Sequence, residues 1–272
     1  MPSHPHPAAT GRTGPAGPPS ARDRIRRADR RYGAHLLGSA AGAAVAAALF
    51  GLVLLLVEAH WGPLRRMDSG AAGALHRRAL HHHGWTDGLA FVSNRILSPG
   101  TLRTAVALLT LWLLYRRAWR LAAWSAVTAI TGAITGALVK AVVERARPAL
   151  PDPVAHAPGY SFPSGHAMTA TTSFAIFLLV LLPLVPRAAH WLCWLTSVVA
   201  VVGVGFTRVA LGVHWCSDVI GGWLLGLTVV AATTWAFEAW RSDARRRAAP
   251  VTEGLEPELD APHPEPAHSP DA

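Results

Sequence analysis

LLGSAAGAAVAAALFGLVLLLV, residues 36–57, runs for 22 positions without a charged side chain. Crossing the hydrocarbon of a bilayer takes roughly 20 apolar residues. A secretory leader has an apolar core of only about 7–15, so this stretch reads as a retained first span, Leu36–Val57. Farther along the chain five more runs qualify: Pro99–Tyr115, Leu121–Val143, Ala167–Val185, Trp191–Phe206 and Val219–Trp240. The second and fifth are short. Arg103, near the start of the second, is placed to snorkel outward, and the fifth is expected to continue as helix through the Arg208 region. Residues 59–98, with Trp61, Trp85 and the run His81–His83, read as interfacial helices over the outer face. A segment in lipid must satisfy its own backbone hydrogen bonds. The expected fold is therefore all-α: a polytopic membrane bundle of six transmembrane helices, with an interfacial helical segment between the first two.

Composition agrees. Of the 272 residues, 51% are hydrophobic and 15% charged, against about 25% charged in a soluble domain. The charges crowd into the ends and a few short loops. Residues 1–31, rich in Pro, Gly, Arg and His, read as a disordered basic tail. Residues 32–247 form the six-span domain. Residues 248–272, Pro-rich with Glu253, Glu256, Glu258, Asp260 and Glu265, read as a disordered acidic tail. The net charge of +9 does not point to nucleic acid, because the basic residues flank apolar spans and form no single aromatic-studded patch. With both termini inside, 15 of the 25 Lys and Arg lie on the inner side, while three of the outer ten belong to the clusters described next. That bias puts both termini in the cytoplasm. Cys193 and Cys216 are too few for a disulfide scaffold or a four-ligand zinc site. They read as free buried thiols at opposite ends of one helix. Small-xxx-small spacings at Gly38/Gly42, Gly132/Gly136 and Gly222/Gly226 read as close helix packing within the bundle in preference to a dimer face.

An ionisable residue at membrane depth is costly and asks for a function. Three clusters stand out. Lys140-x6-Arg147-Pro148 closes the third span. Lys140, Glu144 and Arg147, spaced i, i+4, i+7, share one helix face, and Pro148 then stops the helix. The two cations suit a phosphate, and equally a snorkelling pair, with Glu144 as a local ion-pair partner. Pro163-Ser164-Gly165-His166 opens the fourth span, where free backbone N–H groups and the helix dipole make an anion site, though a capped helix with an interfacial His has the same signature. Thr207-Arg208-x5-His214-x3-Asp218 joins the fifth and sixth spans. One turn brings the Asp218 carboxylate to the His214 imidazole, which fixes Nδ1–H and leaves Nε2 free to attack. A structural His–Asp pair reads the same way. The alternation of spans brings all three clusters to one outer face. His156, in the loop above, is a lesser candidate for substrate contact; His4, His6, His263 and His268 lie in the tails.

In order and spacing these clusters resemble the three motifs of the type 2 phosphatidic acid phosphatase superfamily, in its integral-membrane lipid phosphatase branch. The resemblance covers roughly residues 36–240. One departure is Thr207, where the third motif usually begins with Ser; retained activity is expected because a hydroxyl survives. The resemblance implies metal-free phosphoryl transfer through a phosphohistidine. His214 is then the nucleophile, held by Asp218, and His166 the acid and later the base. Lys140, Arg147, Ser164, Gly165 and Arg208 bind the phosphoryl oxygens. His166 starts charged and His214 neutral. No cofactor or metal is implied.

The implied activity is hydrolysis of a lipid phosphate at the outer leaflet of a bacterial plasma membrane. Undecaprenyl or a similar polyprenyl diphosphate is the first expected substrate, then phosphatidic acid or phosphatidylglycerol phosphate. Transfer to a second lipid uses the same chemistry. A vanadate haloperoxidase is disfavoured by the six spans. An anion transporter is disfavoured because the Lys, Arg and His residues gather at one edge. Oligomeric state is not legible.

Overall fold

A computed structural model describes residues 21–151 and 155–248. The remaining residues of both expected tails, with His4, His6, His263 and His268, lie outside it. The elements are α1 (Ala21–Glu58), α2 (Gly62–His81), α3 (His83–Phe91), a π-helical turn (Val92–Ile96), α4 (Pro99–Tyr115), α5 (Trp119–Val143), α6 (Gly165–Leu181), α7 (His190–Ala210) and α8 (Cys216–Ala248), with no strand among the described residues. Among the described residues, six stretches are long and apolar enough to cross a membrane: Gly38–Glu58, Gly84–Tyr115, Trp119–Val143, Gly165–Leu184, Arg187–Ala210 and Cys216–Trp240. The chain is an integral-membrane helical bundle. Its outward faces carry apolar stripes such as Val45, Leu49, Leu52 and Leu55 on α1 and Ile130, Ile134 and Leu138 on α5. Such stripes are a liability in water and a requirement in lipid.

Helix α6 is the axis, packing against α4, α5, α7 and α8. Its first half is small and polar, AMTATTS at 167–173, and buried. Small residues let neighbours approach, and the hydroxyls of Thr171 and Thr172 are satisfied by the Ala167 and Met168 carbonyls at 2.9 and 3.1 Å. A Cβ on Gly222 would stand 2.7 Å from the Ser164 carbonyl oxygen, and one on Gly226 2.9 Å from Thr171 Cβ. A Cβ on Gly136 would meet Met168 Sδ at 2.9 Å, while Gly38 and Gly42 have nothing within 4 Å. Two of the three small-xxx-small spacings therefore serve internal packing.

Because Gly222 abuts the backbone that starts α6, Gly222→Ala must push Ser164, Gly165 and His166 outward. We expect a stability loss of about 1–3 kcal/mol and a roughly 100-fold fall in kcat, the usual result of displacing a reacting group by about 1 Å. Thermal unfolding in detergent and turnover check this, with Gly203→Ala as the control, since a Cβ there meets nothing within 4 Å.

Four boundaries differ from the sequence reading. Helix α1 begins at Ala21, inside the stretch assigned to the tail, because RDRIRRADRR contains no Pro or Gly and several good helix formers. The second span begins at Gly84, since α3, the π-helical turn and α4 form one apolar run. The interfacial segment is thereby reduced to α2, whose Asp68, Ala72, His76 and Ala79 are buried while Arg65, Arg66, Arg77 and Arg78 face outward. Helix α5 stops at Val143, where Glu144 turns left-handed at φ +48°, so Arg147 does not share a helix face with Lys140. Cys193 and Cys216 are free as expected but belong to two helices, α7 and α8.

Candidate active site

The ends of α5, α6, α7 and α8 meet at one end of the bundle. Gly212, at φ +70° just beyond α7, makes the turn, and the His214 N–H returns to the Arg208 carbonyl at 3.3 Å. His214 then precedes α8, and Asp218 sits in the first turn of that helix. Its Oδ2 accepts the Trp215 N–H at 2.8 Å, the reach-back that caps a helix start. The same oxygen accepts the Ser161 hydroxyl in a short hydrogen bond and faces His214 Nδ1 at 3.4 Å. Asp218 is fully buried and His214 nearly so.

On its other side, His214 Nε2 accepts from Arg147 Nη1 at 3.2 Å. The remaining Arg147 donors go to the carbonyls of Val213 (2.6 Å), Gly159 (2.9 Å), Pro158 (3.0 Å) and Tyr160 (3.1 Å). One N–H of this pinned guanidinium thus points at His214. Lys140 Nζ donates to the Tyr160 carbonyl at 3.0 Å. Glu144, expected to pair with Lys140, instead accepts the Tyr160 hydroxyl at 2.7 Å, because the helix ends at Val143 and turns Glu144 away. Among the described residues no carboxylate forms a salt bridge with Lys140, Arg147 or Arg208.

Arg208 is 4% exposed. It donates to Asn94 Oδ1 at 3.0 Å and, in a short contact, to Ser93 Oγ. Its Nη1 also faces His166 Nε2 at 3.3 Å. The charges of His214, Lys140 and Arg147 act on His166 as well, so both histidines and all three cations share one site. The Ser164 hydroxyl is buried without a partner at the α6 N-terminus, suited to an incoming acceptor. The Thr207 hydroxyl donates to the Val204 carbonyl at 2.7 Å. His156 borders a cavity of about 240 Å³ that Arg147 also lines.

Burial pushes His214 below the ordinary imidazole value, outweighing the hydrogen bond and charge of Asp218 that act to raise it. His214 is therefore neutral near pH 7. A guanidinium donates and never accepts, so Arg147 and Arg208 hold both Nε2 atoms as acceptors. These contacts give the two histidines like states, where sequence reasoning expected opposite ones.

Sequence reasoning missed Ser93, Asn94, Ser161, Asp68 and Arg145. Asp68 was legible as the acidic member of a stripe with Ala72, His76 and Ala79. Arg145 was hidden by the assumption that the helix continued to Pro148. Ser93 and Asn94 lie in the π-helical turn, a rarity found often at functional sites.

A six-helix membrane bundle thus carries a His–Asp pair, a second His and three cations that form no salt bridge among the described residues. Residues 118–242 match the family model of the PAP2 superfamily. The chain is 37% identical to Phosphatidylglycerophosphatase B of Bacillus subtilis (strain 168) over 87 residues, 31% of this chain and 42% of that relative. The matched stretch thus spans less than half of the relative's length. The fold is also that of the crystal structure of a transmembrane PAP2 type phosphatidylglycerolphosphate phosphatase from Bacillus subtilis. The TM-score is 0.60 at 24% identity, covering 69% of this chain and 93% of the other.

Proposed function

We propose that the chain is a lipid phosphatase of the outer leaflet, with both termini in the cytoplasm, and that phosphatidylglycerol phosphate is its first substrate. The observation that carries this reading is the gathering of Lys140, Arg147 and Arg208, none salt-bridged to a carboxylate among the described residues, around the Nε2 atoms of His214 and His166. Desolvated cations need an anion, and a terminal phosphate supplies one. The named relatives support the phosphatidylglycerol phosphate assignment. Polyprenyl diphosphate, first in the sequence reading, has no such support and becomes the comparison substrate.

The phosphate takes over the inward donors of Arg147 and Arg208, with Lys140 and the Ser164–Gly165 start of α6 binding its other oxygens. This frees His214 Nε2, whose lone pair attacks phosphorus as the P–O bond to the lipid glycerol breaks. His166 protonates the departing oxygen. That proton arrives with the substrate, since a phosphate monoester has a second ionisation near pH 6. His166 then takes a proton from water, which displaces His214 and releases inorganic phosphate. Among the described residues no three His, Cys, Asp or Glu side chains gather as a metal site; the positive charge this route needs comes from Lys140, Arg147 and Arg208.

The test is phosphate release by protein purified in detergent from phosphatidylglycerol phosphate, phosphatidic acid and polyprenyl diphosphate, with and without EDTA, across pH 4–8. We expect release that survives EDTA and is fastest on the first substrate. Because His214 must be neutral to attack, the acid limb of kcat/KM should have its midpoint below 6.5, while an alkaline limb follows the second ionisation of the substrate phosphate near pH 6. Loss of release in EDTA, or an acid limb with its midpoint at or above pH 6.5, overturns the mechanism. A different order of substrates overturns the assignment alone.

A further inference from the structure

Asp218 uses only one of its oxygens to face His214. The other, Oδ1, accepts from Arg145 Nη1 at 2.7 Å. Arg145 sits just past the end of α5, between two carboxylates, with its Nη2 at 2.8 Å from Asp68 Oδ2. Asp68 is 1% exposed on the buried face of α2. It also accepts the Ser217 N–H at 2.9 Å and the Ser217 hydroxyl at 2.6 Å, and that hydroxyl accepts from Arg145 Nη1 at 2.6 Å. The Arg145 guanidinium carbon stands 5.7 Å over the Trp215 ring. A continuous chain, Asp68–Arg145–Asp218–His214, thus runs from a helix outside the matched family segment to the attacking imidazole.

The His214–Asp218 contact, at 3.4 Å, is the longest that Asp218 makes and long for an N–H···O bond. The orientation of the carboxylate is therefore set by Arg145, Ser161 and the Trp215 N–H. Arg145 also has an electrostatic effect. When His214 bonds to phosphorus its ring becomes cationic, and the negative charge of Asp218 stabilises it. A bare guanidinium against Asp218 would oppose that stabilisation. Asp68 cancels it.

We propose that Asp68, acting through Arg145, is a positioning residue that holds Asp218 in place and preserves the negative charge it presents to His214. The proposal rests on the reading of His214 as nucleophile. Partners one layer behind a reacting group commonly contribute 10- to 100-fold to activity. Asp68→Asn should accordingly lower kcat by about that factor while KM changes less than about threefold, because Asp68 touches no substrate. It also adds one net positive charge near His214, which otherwise faces Asp218 from α8, Arg147 from the segment after α5, Lys140 from α5 and His166 from α6. The acid limb of kcat/KM should therefore move to lower pH.

The experiment measures kcat, KM and the pH profile of full-length Asp68→Asn, Asp68→Asn/Arg145→Gln and His214→Ala beside the native protein, each checked for monodispersity in detergent. The amide introduced by Arg145→Gln keeps a donor towards Asp218 without the charge, so the double variant should regain at least tenfold in kcat over Asp68→Asn. Native kcat in Asp68→Asn, or an unmoved acid limb with additive losses in the double variant, overturns the proposal. If Asp68→Asn does not fold, Arg145→Lys decides. It keeps the charge but not the two-carboxylate reach, so it should lower kcat with the acid limb in place; native kcat overturns the proposal. Release that persists in His214→Ala overturns the nucleophile reading instead. An inactive His214→Ala beside an unaffected Asp68→Asn defeats this inference alone.

Discussion

His214→Ala lowers kcat for phosphate release by on the order of 10^4- to 10^6-fold, the loss seen when a nucleophile is removed from a preorganised site. The expectation follows from what surrounds the ring. Nε2 accepts from Arg147 Nη1, 3.2 Å away, a donor that a bound phosphate takes over. Burial keeps that nitrogen unprotonated at neutral pH, and the ring has little freedom to turn, being almost fully buried with Nδ1 against Asp218. Alanine leaves the cations in place, so phosphate still binds and KM changes little. What disappears is the attacking atom, and His166, engaged as the acid of this first step, does not serve as base for water in its place. Rapid quenching of native protein with radiolabelled substrate should trap a phosphoprotein that is acid-labile and alkali-stable. His214→Ala should trap none. A variant that retains more than about 1% of native kcat would assign the attack to another group.

Arg208→Ala is the second large effect, about 10^3- to 10^5-fold in kcat, the range for arginines that neutralise a transferring phosphoryl group. Arg208 is buried, and its partners among the described residues are all neutral: Ser93, Asn94, His166 and Thr207. A desolvated cation without an acid costs stability. Removing it should therefore leave the melting temperature unchanged or raise it while activity collapses. A residue kept for structure would behave in the opposite way, and that contrast makes the measurement decisive. Arg208→Lys restores the charge but reaches fewer partners, so it should recover only part of the rate. A marked fall in melting temperature with Arg208→Ala would reassign the residue to scaffolding.

Much of the fold was legible because the bilayer imposes a local rule. Twenty apolar residues in a row declare a span wherever they occur, so five of the six spans lie close to their expected limits. The second, expected from Pro99, is the exception. Ser98 does cap α4, accepting the Thr101 N–H at 3.1 Å. The apolar run nevertheless extends back to Gly84, and Ser93 and Asn94 lie within it. Their role depends on Arg208, more than a hundred residues later in the chain. No local pattern encodes such a partnership.

The site divides in the same way. Lys140, Arg147, His166, Arg208, His214 and Asp218 announce themselves because ionisable groups at membrane depth have few other reasons to be there. How they are supported was hidden. The left-handed turn at Glu144 ends α5 one helical turn before Pro148. It sends Arg145 to Asp68 and Asp218, gives Glu144 to Tyr160, and lets the 158–160 carbonyls pin Arg147.

The number of spans, the end of the bundle where charge collects and the residue types available for phosphate chemistry are written locally. Each follows from hydropathy and spacing along one stretch of chain. Which donor meets which acceptor is a product of packing: Arg147 with His214, Arg208 with His166, and Asp68 through Arg145 with Asp218. Hydrogen bonds act over about 3 Å, and only the packed bundle brings groups so distant in sequence within that range.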